Sequence, residues 1–201
     1  MANGIYPLEH GGPDALRQAV ETAVKTGDDT ALALIDLDYF HNINQTRGRE
    51  AGDAVLATFW KLLQEAAQPL SAQAFRFGGD EFALLIPTLS LEQAFLKMEA
   101  LRAQVETTCE HTITIGVAQF PRDGKDTDAL LTATDAALGS AKEQGRNTVG
   151  LPLNEEMVMK SCYYPAITTR RLKTLAEKTK KKESVLLREA LADLLRKYEQ
   201  R

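Results

Sequence analysis

The stretch Phe77-Gly78-Gly79-Asp80-Glu81-Phe82 decides the fold of this chain, because its two glycines join two apolar runs. Residues 72–77 alternate as a strand does, and residues 82–86 have the pattern of a short buried strand. A Gly-Gly pair at this junction predicts a tight hairpin turn, because glycine adopts positive φ without a Cβ clash. The two carboxylates that follow have only Arg76 beside them as a counter-charge. We therefore expect a metal ion carrying a nucleoside triphosphate to bind there.

The composition indicates a soluble globular protein, with 44% hydrophobic and 26% charged residues among 201. This length accommodates one medium domain and a small module. Residues 1–20 lack the features of a signal peptide, and no apolar run is long enough to cross a membrane. Cys109 and Cys162 lack the CxxC spacing of a metal or redox site and suit a reducing compartment. We expect a cytoplasmic protein that has no membrane partner.

Charge is divided unevenly along the chain. Residues 154–201 contain 12 Lys or Arg and 7 Asp or Glu, a net charge of +5. Because the whole chain carries −4, the remainder carries −9. An acidic body followed by a basic tail predicts two modules with different partners. We place the body at residues 1–151, a linker at 152–158 and the tail module at 159–201.

The hydrophobic periodicity of the body predicts the element order α, β, α, α, β, β, α, β, α, β. Helices alternating with strands around a central hairpin predict an α+β fold, in which helices cover a mixed sheet. Residues 47–52 are predicted to form a loop. The predicted helices are 13–25, 39–46, 53–66, 91–105 and 127–143, and the predicted strands are 31–36, 72–77, 82–86, 111–120 and 147–151.

The tail has the pattern of one strand and two helices, at residues 159–164, 168–178 and 184–198. A module of about 45 residues built from these elements cannot bury a core by itself. We therefore expect the tail to dimerise.

Two groups of charged residues in the body predict phosphoryl-transfer chemistry. Asp36 ends a predicted strand, and it would meet Asp80 at one edge of the sheet if that strand lies beside the hairpin. Two acids and a backbone carbonyl suit Mg²⁺ bound to a triphosphate. Lys142 and Arg146 flank Gly145 at a helix end, where they could neutralise phosphates. Each feature alone is more typical of a solvated loop, a simple turn or a charged helix end.

Several separated motifs between residues 32 and 149 resemble those of the GGDEF domain of diguanylate cyclases. The matching residues are Asp36-Leu37-Asp38-Tyr39-Phe40 for DxDxF, Asn44, Gly48, Gly52 and Asp53 for N-x3-G-x3-GD, Gly78-Gly79-Asp80-Glu81-Phe82 for the signature, and Ala141-Lys142-Glu143-Gln144-Gly145-Arg146-Asn147 for AKxxGRN. The resemblance implies the nucleotide-cyclase or palm-like sheet of this family for the body.

The resemblance also implies a reaction, in which two facing domains condense two GTP into cyclic di-GMP and pyrophosphate. Asp36, the Leu37 carbonyl and Asp80 would hold Mg²⁺ or Mn²⁺. Asp80 and Glu81 would act in catalysis by helping to deprotonate the attacking 3′-hydroxyl. The implied GTP-binding residues are Phe40 and His41, the guanine-reading Asn44 and Asp53, Gly78 and Gly79 beside the triphosphate, and the phosphate-binding Lys142 and Arg146.

The chain departs from the family pattern at several positions. His41 stands where the family usually has lysine, which weakens one phosphate contact. The N-terminal DxLTGLxNR motif is absent. Residues 69–72 lack the RxxD motif of product inhibition, so we expect no feedback at that position. We expect an active enzyme of reduced rate. The alternatives are a transcriptional regulator whose body senses GTP or cyclic di-GMP without turnover, and an interaction module in which both sites are vestigial.

The tail resembles a ribbon-helix-helix module of the CopG/Arc/MetJ type. The resemblance rests on Lys160-Ser161-Cys162-Tyr163-Tyr164, Leu172, Leu175-Ala176 and Ser184-Val185-Leu186-Leu187-Arg188-Glu189-Ala190-Leu191. It implies a homodimer or higher oligomer whose paired strands enter the major groove of double-stranded DNA. The predicted DNA-binding residues are Lys160, Ser161, Tyr163, Lys181, Lys182 and Ser184. The alternative is a dimerisation clamp with a solvated basic loop.

Overall fold

The computed structural model describes residues 12–109, 111–152, 164–179, 181 and 183–199. The chain divides into two compact units, with the boundary after residue 156. The elements of the first unit, the body, are α1 (Pro13–Thr26), β1 (Thr30–Leu37), α2 (Phe40–Arg47), α3 (Arg49–Ala67), a 3₁₀ turn (Gln68–Leu70), β2 (Gln73–Arg76), β3 (Glu81–Pro87), α4 (Leu91–Thr108), β4 (Ile113–Phe120), α5 (Thr127–Glu143) and β5 (Val149–Gly150).

The five strands of the body form one mixed sheet in the order β2-β3-β1-β4-β5. The β2–β3, β3–β1 and β1–β4 pairs are antiparallel, and β4–β5 is parallel. Both the element order and the mixed sheet predicted from the sequence are confirmed. Strand β1 lies in the centre, so its last residues contact both the hairpin strand β3 and strand β4.

Alternation along β1 divides the core into two layers. Ala33 and Ile35 face a cluster that includes Phe59 of α3 and Met98 of α4. Leu32 and Leu34 face the opposite cluster, built from α1 and α5. Because apolar residues occupy both faces of β1, helices cover the sheet on both sides. Packing on both faces thereby fixes the position of the end of β1.

The predicted loop at residues 47–52 is wrong, because α3 already begins at Arg49. Gly48 alone separates α2 from α3, and its φ of 84° breaks the helical path. Gly52 lies inside α3 and is buried. A Cβ at Gly52 would clash with the side chain of Asn44, so this glycine lets α2 pack directly on α3.

The hairpin lies where the sequence places it, but Gly78 acts for a different reason. Strands β2 and β3 pair antiparallel with Arg76 opposite Phe82. Neither Gly78 nor Gly79 has the positive φ that the sequence suggested. A Cβ at Gly78 would lie 2.5 Å from the Glu81 Oε2 atom. A side chain at Gly78 would therefore displace the Glu81 carboxylate, which folds over this glycine.

The last strand of the body is shorter than predicted. Only Val149–Gly150 forms a strand, where the sequence predicts residues 147–151. Arg146 and Asn147 have positive φ values of 64° and 45°, which are incompatible with an extended strand. This turn shapes the segment that carries the predicted phosphate-binding residues.

The second unit, the tail, contains α6 (Ala166–Thr179) and α7 (Glu183–Glu199). Most of the predicted strand, at residues 159–163, lies outside the described residues, as does most of the predicted linker. Large apolar side chains on both helices are exposed; they are Ile167, Leu175, Leu187, Leu191 and Leu194. Among the tail residues whose burial the structure describes, Ala176 alone is buried. No helix in the described parts of the chain is long and apolar enough to cross a bilayer.

Candidate active site

Three acidic residues lie close to the point where β1 ends and β3 begins. Asp36 lies opposite Glu81 in the β1–β3 register. The Leu37 N–H donates a hydrogen bond to the Asp80 carbonyl oxygen, with 3.2 Å between nitrogen and oxygen. The central position of β1 therefore brings together the predicted metal ligands Asp36, Leu37 and Asp80 and the predicted catalytic residue Glu81.

Asp36 is largely enclosed by the protein, and it forms an ion pair. Its side chain is 14% exposed, and its Oδ2 atom lies 2.8 Å from the Nζ atom of Lys142 in the last turn of α5. Burial raises the pKa of Asp36, and this outweighs the hydrogen bond and charge of Lys142, which lower it. The nearby charges of Asp80 and Asp38 also raise the pKa of Asp36. This end of the sheet therefore favours a cation.

The donor set fits a hard divalent cation that is shared with a ligand. Among the residues that the structure describes, no group of three His, Cys, Asp or Glu side chains could hold a metal ion alone. Two carboxylates and the Leu37 carbonyl suit Mg²⁺ or Mn²⁺ when water and phosphate oxygens complete the coordination shell. The residues present therefore fit a metal–triphosphate complex better than a metal ion held by protein alone.

The Arg76 side chain stabilises the hairpin by hydrogen bonds to the backbone of the turn. Its Nη2 atom donates to the Gly79 carbonyl oxygen at 2.6 Å, and its Nε atom donates to the Gly78 carbonyl oxygen at 3.3 Å. The Phe77 and Gly78 N–H groups both donate to the Glu81 carbonyl oxygen. Sequence reasoning regarded Arg76 as a counter-charge for the acids, but its guanidinium holds the loop from which they project.

The predicted phosphate-binding residues lie on and just after the last turn of α5. Gly145 has a φ of 115°, which ends the helix and turns the chain toward β4. The Arg146 guanidinium carbon lies 4.9 Å from the ring centroid of Tyr39, at the start of α2. Lys142 and Arg146 thus approach the acidic end of β1 from α5.

A buried hydrogen-bond network that sequence reasoning missed fixes this turn. Asp38 is 0% exposed and accepts hydrogen bonds from the Thr114 hydroxyl and the Asn147 N–H, the second at 3.1 Å. Arg102 of α4 donates to the Asn147 Oδ1 atom at 2.7 Å. The Asn147 Nδ2 group in turn donates to Glu106. The last residue of the AKxxGRN match therefore links β1, β4 and α4.

The available sequence signals for this network were indirect. Asp38 is the second acid of the DxDxF match, and Asn147 ends the AKxxGRN match. Glu99, Arg102 and Glu106 have the i, i+3 and i, i+7 spacing of one helix face. None of these patterns states which partner each residue contacts.

The predicted guanine-reading residues lie on two adjoining helices. Asn44 of α2 lies directly against Gly52 of α3, and the exposed Asp53 follows it in the sequence. The Phe40 side chain is 8% exposed, and its ring would come within 3.2 Å of a Cβ at Gly52. The structure thus places Phe40 in the core beneath Asn44, whereas His41 is exposed.

The predicted DNA-binding residues are only partly described. Lys181 is exposed, and Ser184 is exposed in the first turn of α7, which begins one residue earlier than predicted. The other four, Lys160, Ser161, Tyr163 and Lys182, lie outside the described residues.

Comparison with known families identifies both units. The family model "Diguanylate cyclase, GGDEF domain" matches residues 13–148, and a "Ribbon-helix-helix domain" matches residues 163–199.

Individual relatives agree with the first match. Response regulator PleD of Caulobacter vibrioides is 34% identical over 144 residues, which cover 67% of this chain and 32% of PleD. Diguanylate cyclase A of Treponema denticola is 33% identical, over 62% of this chain and 35% of its own length. The chain therefore spans about a third of the length of these relatives.

Solved structures agree with the fold of the body. The GGDEF domain of YfiN (TpbB) from Pseudomonas aeruginosa is 28% identical with a TM-score of 0.65, covering 71% of this chain and 97% of that one. The GGDEF domain of DgcB from Caulobacter crescentus, in complex with c-di-GMP, is 26% identical with a TM-score of 0.64, covering 74% and 94%.

Two substitutions at Asn147 test whether backbone conformation holds the turn. Asn147→Gly and Asn147→Ala both remove the hydrogen bonds to Arg102 and Glu106, but only glycine adopts positive φ freely. We expect both variants to be less stable than the natural chain, and the alanine variant to be less stable than the glycine variant by about 1 kcal/mol. Urea unfolding measures the difference. An alanine variant as stable as the glycine variant would contradict the account of this turn.

Proposed function

The chain belongs to the GGDEF-domain diguanylate cyclase family, and we propose that its body condenses two GTP molecules into cyclic di-GMP and pyrophosphate. The observation that supports this proposal is the placement of Asp36, Asp80 and Glu81 around the end of β1, with Lys142 paired to Asp36. A site that only bound a nucleotide would not require a third carboxylate beside the two metal ligands.

In the proposed reaction, the acids of the body have two tasks, metal binding and deprotonation, and Asp80 takes part in both. Asp36, Asp80 and the Leu37 carbonyl hold Mg²⁺ or Mn²⁺, which supplies positive charge to the triphosphate when bound. Asp80 and Glu81 together help to remove the single proton of the attacking 3′-hydroxyl. Glu81 is exposed, whereas the Asp36 side chain is 14% exposed, so Glu81 is accessible to a nucleotide from a facing domain.

The phosphate and base ends of GTP are bound by different elements. Lys142 and Arg146 neutralise the phosphates from the end of α5, with Gly78 and Gly79 leaving room at the hairpin. Asn44 and Asp53 read guanine from α2 and α3, with the carboxylate accepting from the N1 and N2 donors. The packing of Asn44 on Gly52 supports this pairing, since it holds the amide beside Asp53.

The proposed reaction requires two bodies, because each site holds one GTP and the product contains two. We propose that the tail dimerises the chain and also binds double-stranded DNA. The match to a ribbon-helix-helix domain supports this assignment. The exposed Leu187, Leu191 and Leu194 of α7 supply an apolar surface for a second copy.

A second function is favoured by one departure in the sequence. His41 stands where the resemblance expects a lysine, and the loss of a fixed positive charge weakens phosphate binding. A body with this change could sense GTP or cyclic di-GMP without turnover and report to the tail. Turnover and binding must therefore be measured on the same preparation.

Incubation of the full chain with GTP and Mg²⁺ tests the enzyme proposal directly. We expect chromatography to show cyclic di-GMP. Asp80→Ala should reduce its formation by a factor on the order of 10³ because it removes a metal ligand. The elution volume of this variant in size-exclusion chromatography should be unchanged. Asp135→Ala, at an exposed acid of α5, is the matched control and should retain the natural rate. Tight GTP binding by the natural chain without product would reject the enzyme and favour the sensor.

Mobility shifts of genomic DNA fragments test the proposed role of the tail. We expect binding to weaken steeply with salt, and Lys181→Ala to reduce the salt slope by about one unit. Lys61→Ala, at a lysine of α3 whose side chain is 79% exposed, is the matched control and should leave the slope unchanged. If the chain binds no DNA at low salt, the tail is a dimerisation clamp.

A further inference from the structure

The ion pair between Lys142 and Asp36 joins two residues that the proposed function gives to different ligands. Asp36 is assigned to the metal ion, and Lys142 to the phosphates of GTP. The structure nevertheless places the Lys142 Nζ atom 2.8 Å from the Asp36 Oδ2 atom, between side chains only 29% and 14% exposed. The ammonium therefore lies beside the carboxylate that the metal ion would share.

A lysine in this position must compete with a divalent cation. Positive charges that share one carboxylate repel each other, and partial burial reduces the screening by water. A triphosphate changes this balance, because its negative charges offer the Lys142 ammonium another partner. Metal binding without nucleotide is thereby opposed by Lys142, whereas metal binding with nucleotide is not.

We propose that Lys142 is the residue that couples the two ligands, serving as the counter-ion of Asp36 until a nucleoside triphosphate draws its ammonium away. Metal ion and nucleotide then bind together more tightly than the affinity of either alone predicts. The inference rests on the proposed function, since it assigns Asp36 to the metal ion and Lys142 to phosphate. By linkage, the gain must be the same whichever ligand binds first.

Arg146 provides the comparison within the same site. It carries the same charge and the same proposed phosphate role, but its guanidinium lies over the Tyr39 ring. Its removal should weaken nucleotide binding without changing the affinity of the protein for a metal ion alone. Removal of Lys142, in contrast, should change the affinity of the protein for a metal ion alone.

The test measures Mn²⁺ binding to the full chain in the absence of nucleotide, by the electron paramagnetic resonance of free Mn²⁺. We expect Lys142→Met to raise the Mn²⁺ affinity by about 5- to 150-fold, the range of ordinary coupling between sites. Arg146→Met should leave this affinity unchanged. With EDTA present, both variants should bind GTP more weakly than the natural chain.

Two further variants separate failure of this inference from failure of the proposed function. Asp36→Asn should abolish the Mn²⁺ binding; if it does not, the metal site lies elsewhere and both proposals fail. If Asp36→Asn abolishes binding but Lys142→Met leaves the Mn²⁺ affinity unchanged or lowers it, the coupling role alone is overturned. Lys142→Gln, which keeps a hydrogen-bond donor for Asp36, repeats the test should the methionine variant unfold.

Discussion

The buried carboxylate of Asp38 is the interaction on which the site depends. Its oxygens accept from the Thr114 hydroxyl of β4 and from the Asn147 N–H in the turn after α5. Asp38 follows Asp36 by two residues, and Asn147 follows Arg146 directly. The residues proposed to bind the metal ion and those proposed to bind phosphate are therefore joined through one buried acid. Without hydrogen bonds a buried carboxylate would be strongly unfavourable, so this geometry is tightly specified.

The sheet and the hydrogen-bond network around Asp38 position different parts of the site. Packing on both faces of β1 fixes where the strand ends, and the β1–β3 register then places Asp36 opposite Glu81. Hydrogen bonds fix the turn that follows α5, in which Arg146 and Asn147 have positive φ. Lys142 offsets the charge of one of the acids, Asp36. A basic group is thus part of the acidic site itself.

Local patterns predicted much of the body. Alternation and helical periodicity are properties of neighbouring residues, so the element order and the acids at the strand ends could be read from the sequence. The motif matches assigned Asp36, Asp80, Lys142 and Arg146 to one site from the sequence alone. The loop predicted at residues 47–52 was wrong. Gly48 alone separates the two helices there.

The sequence patterns did not predict which distant residues contact each other. The Lys142–Asp36 pair spans 106 residues, and no periodicity connects its two members. The contact of Arg102 with Asn147 likewise depends on how α4 lies beside β5. The role of Gly78 was misread for a similar reason, since the glycine leaves space for the folded-back Glu81 side chain rather than supplying positive φ.

We propose that Asp36, the Leu37 carbonyl and Asp80 form one metal site at the end of β1. Anomalous scattering from Mn²⁺, in crystals of the full chain grown with a non-hydrolysable GTP analogue, locates the ion directly. The account predicts a peak about 2.1 Å from oxygens of Asp36 and Asp80 and from the Leu37 carbonyl oxygen, with phosphate oxygens in the same shell. A peak remote from Asp36, or nucleotide bound with no metal at the end of β1, would contradict it.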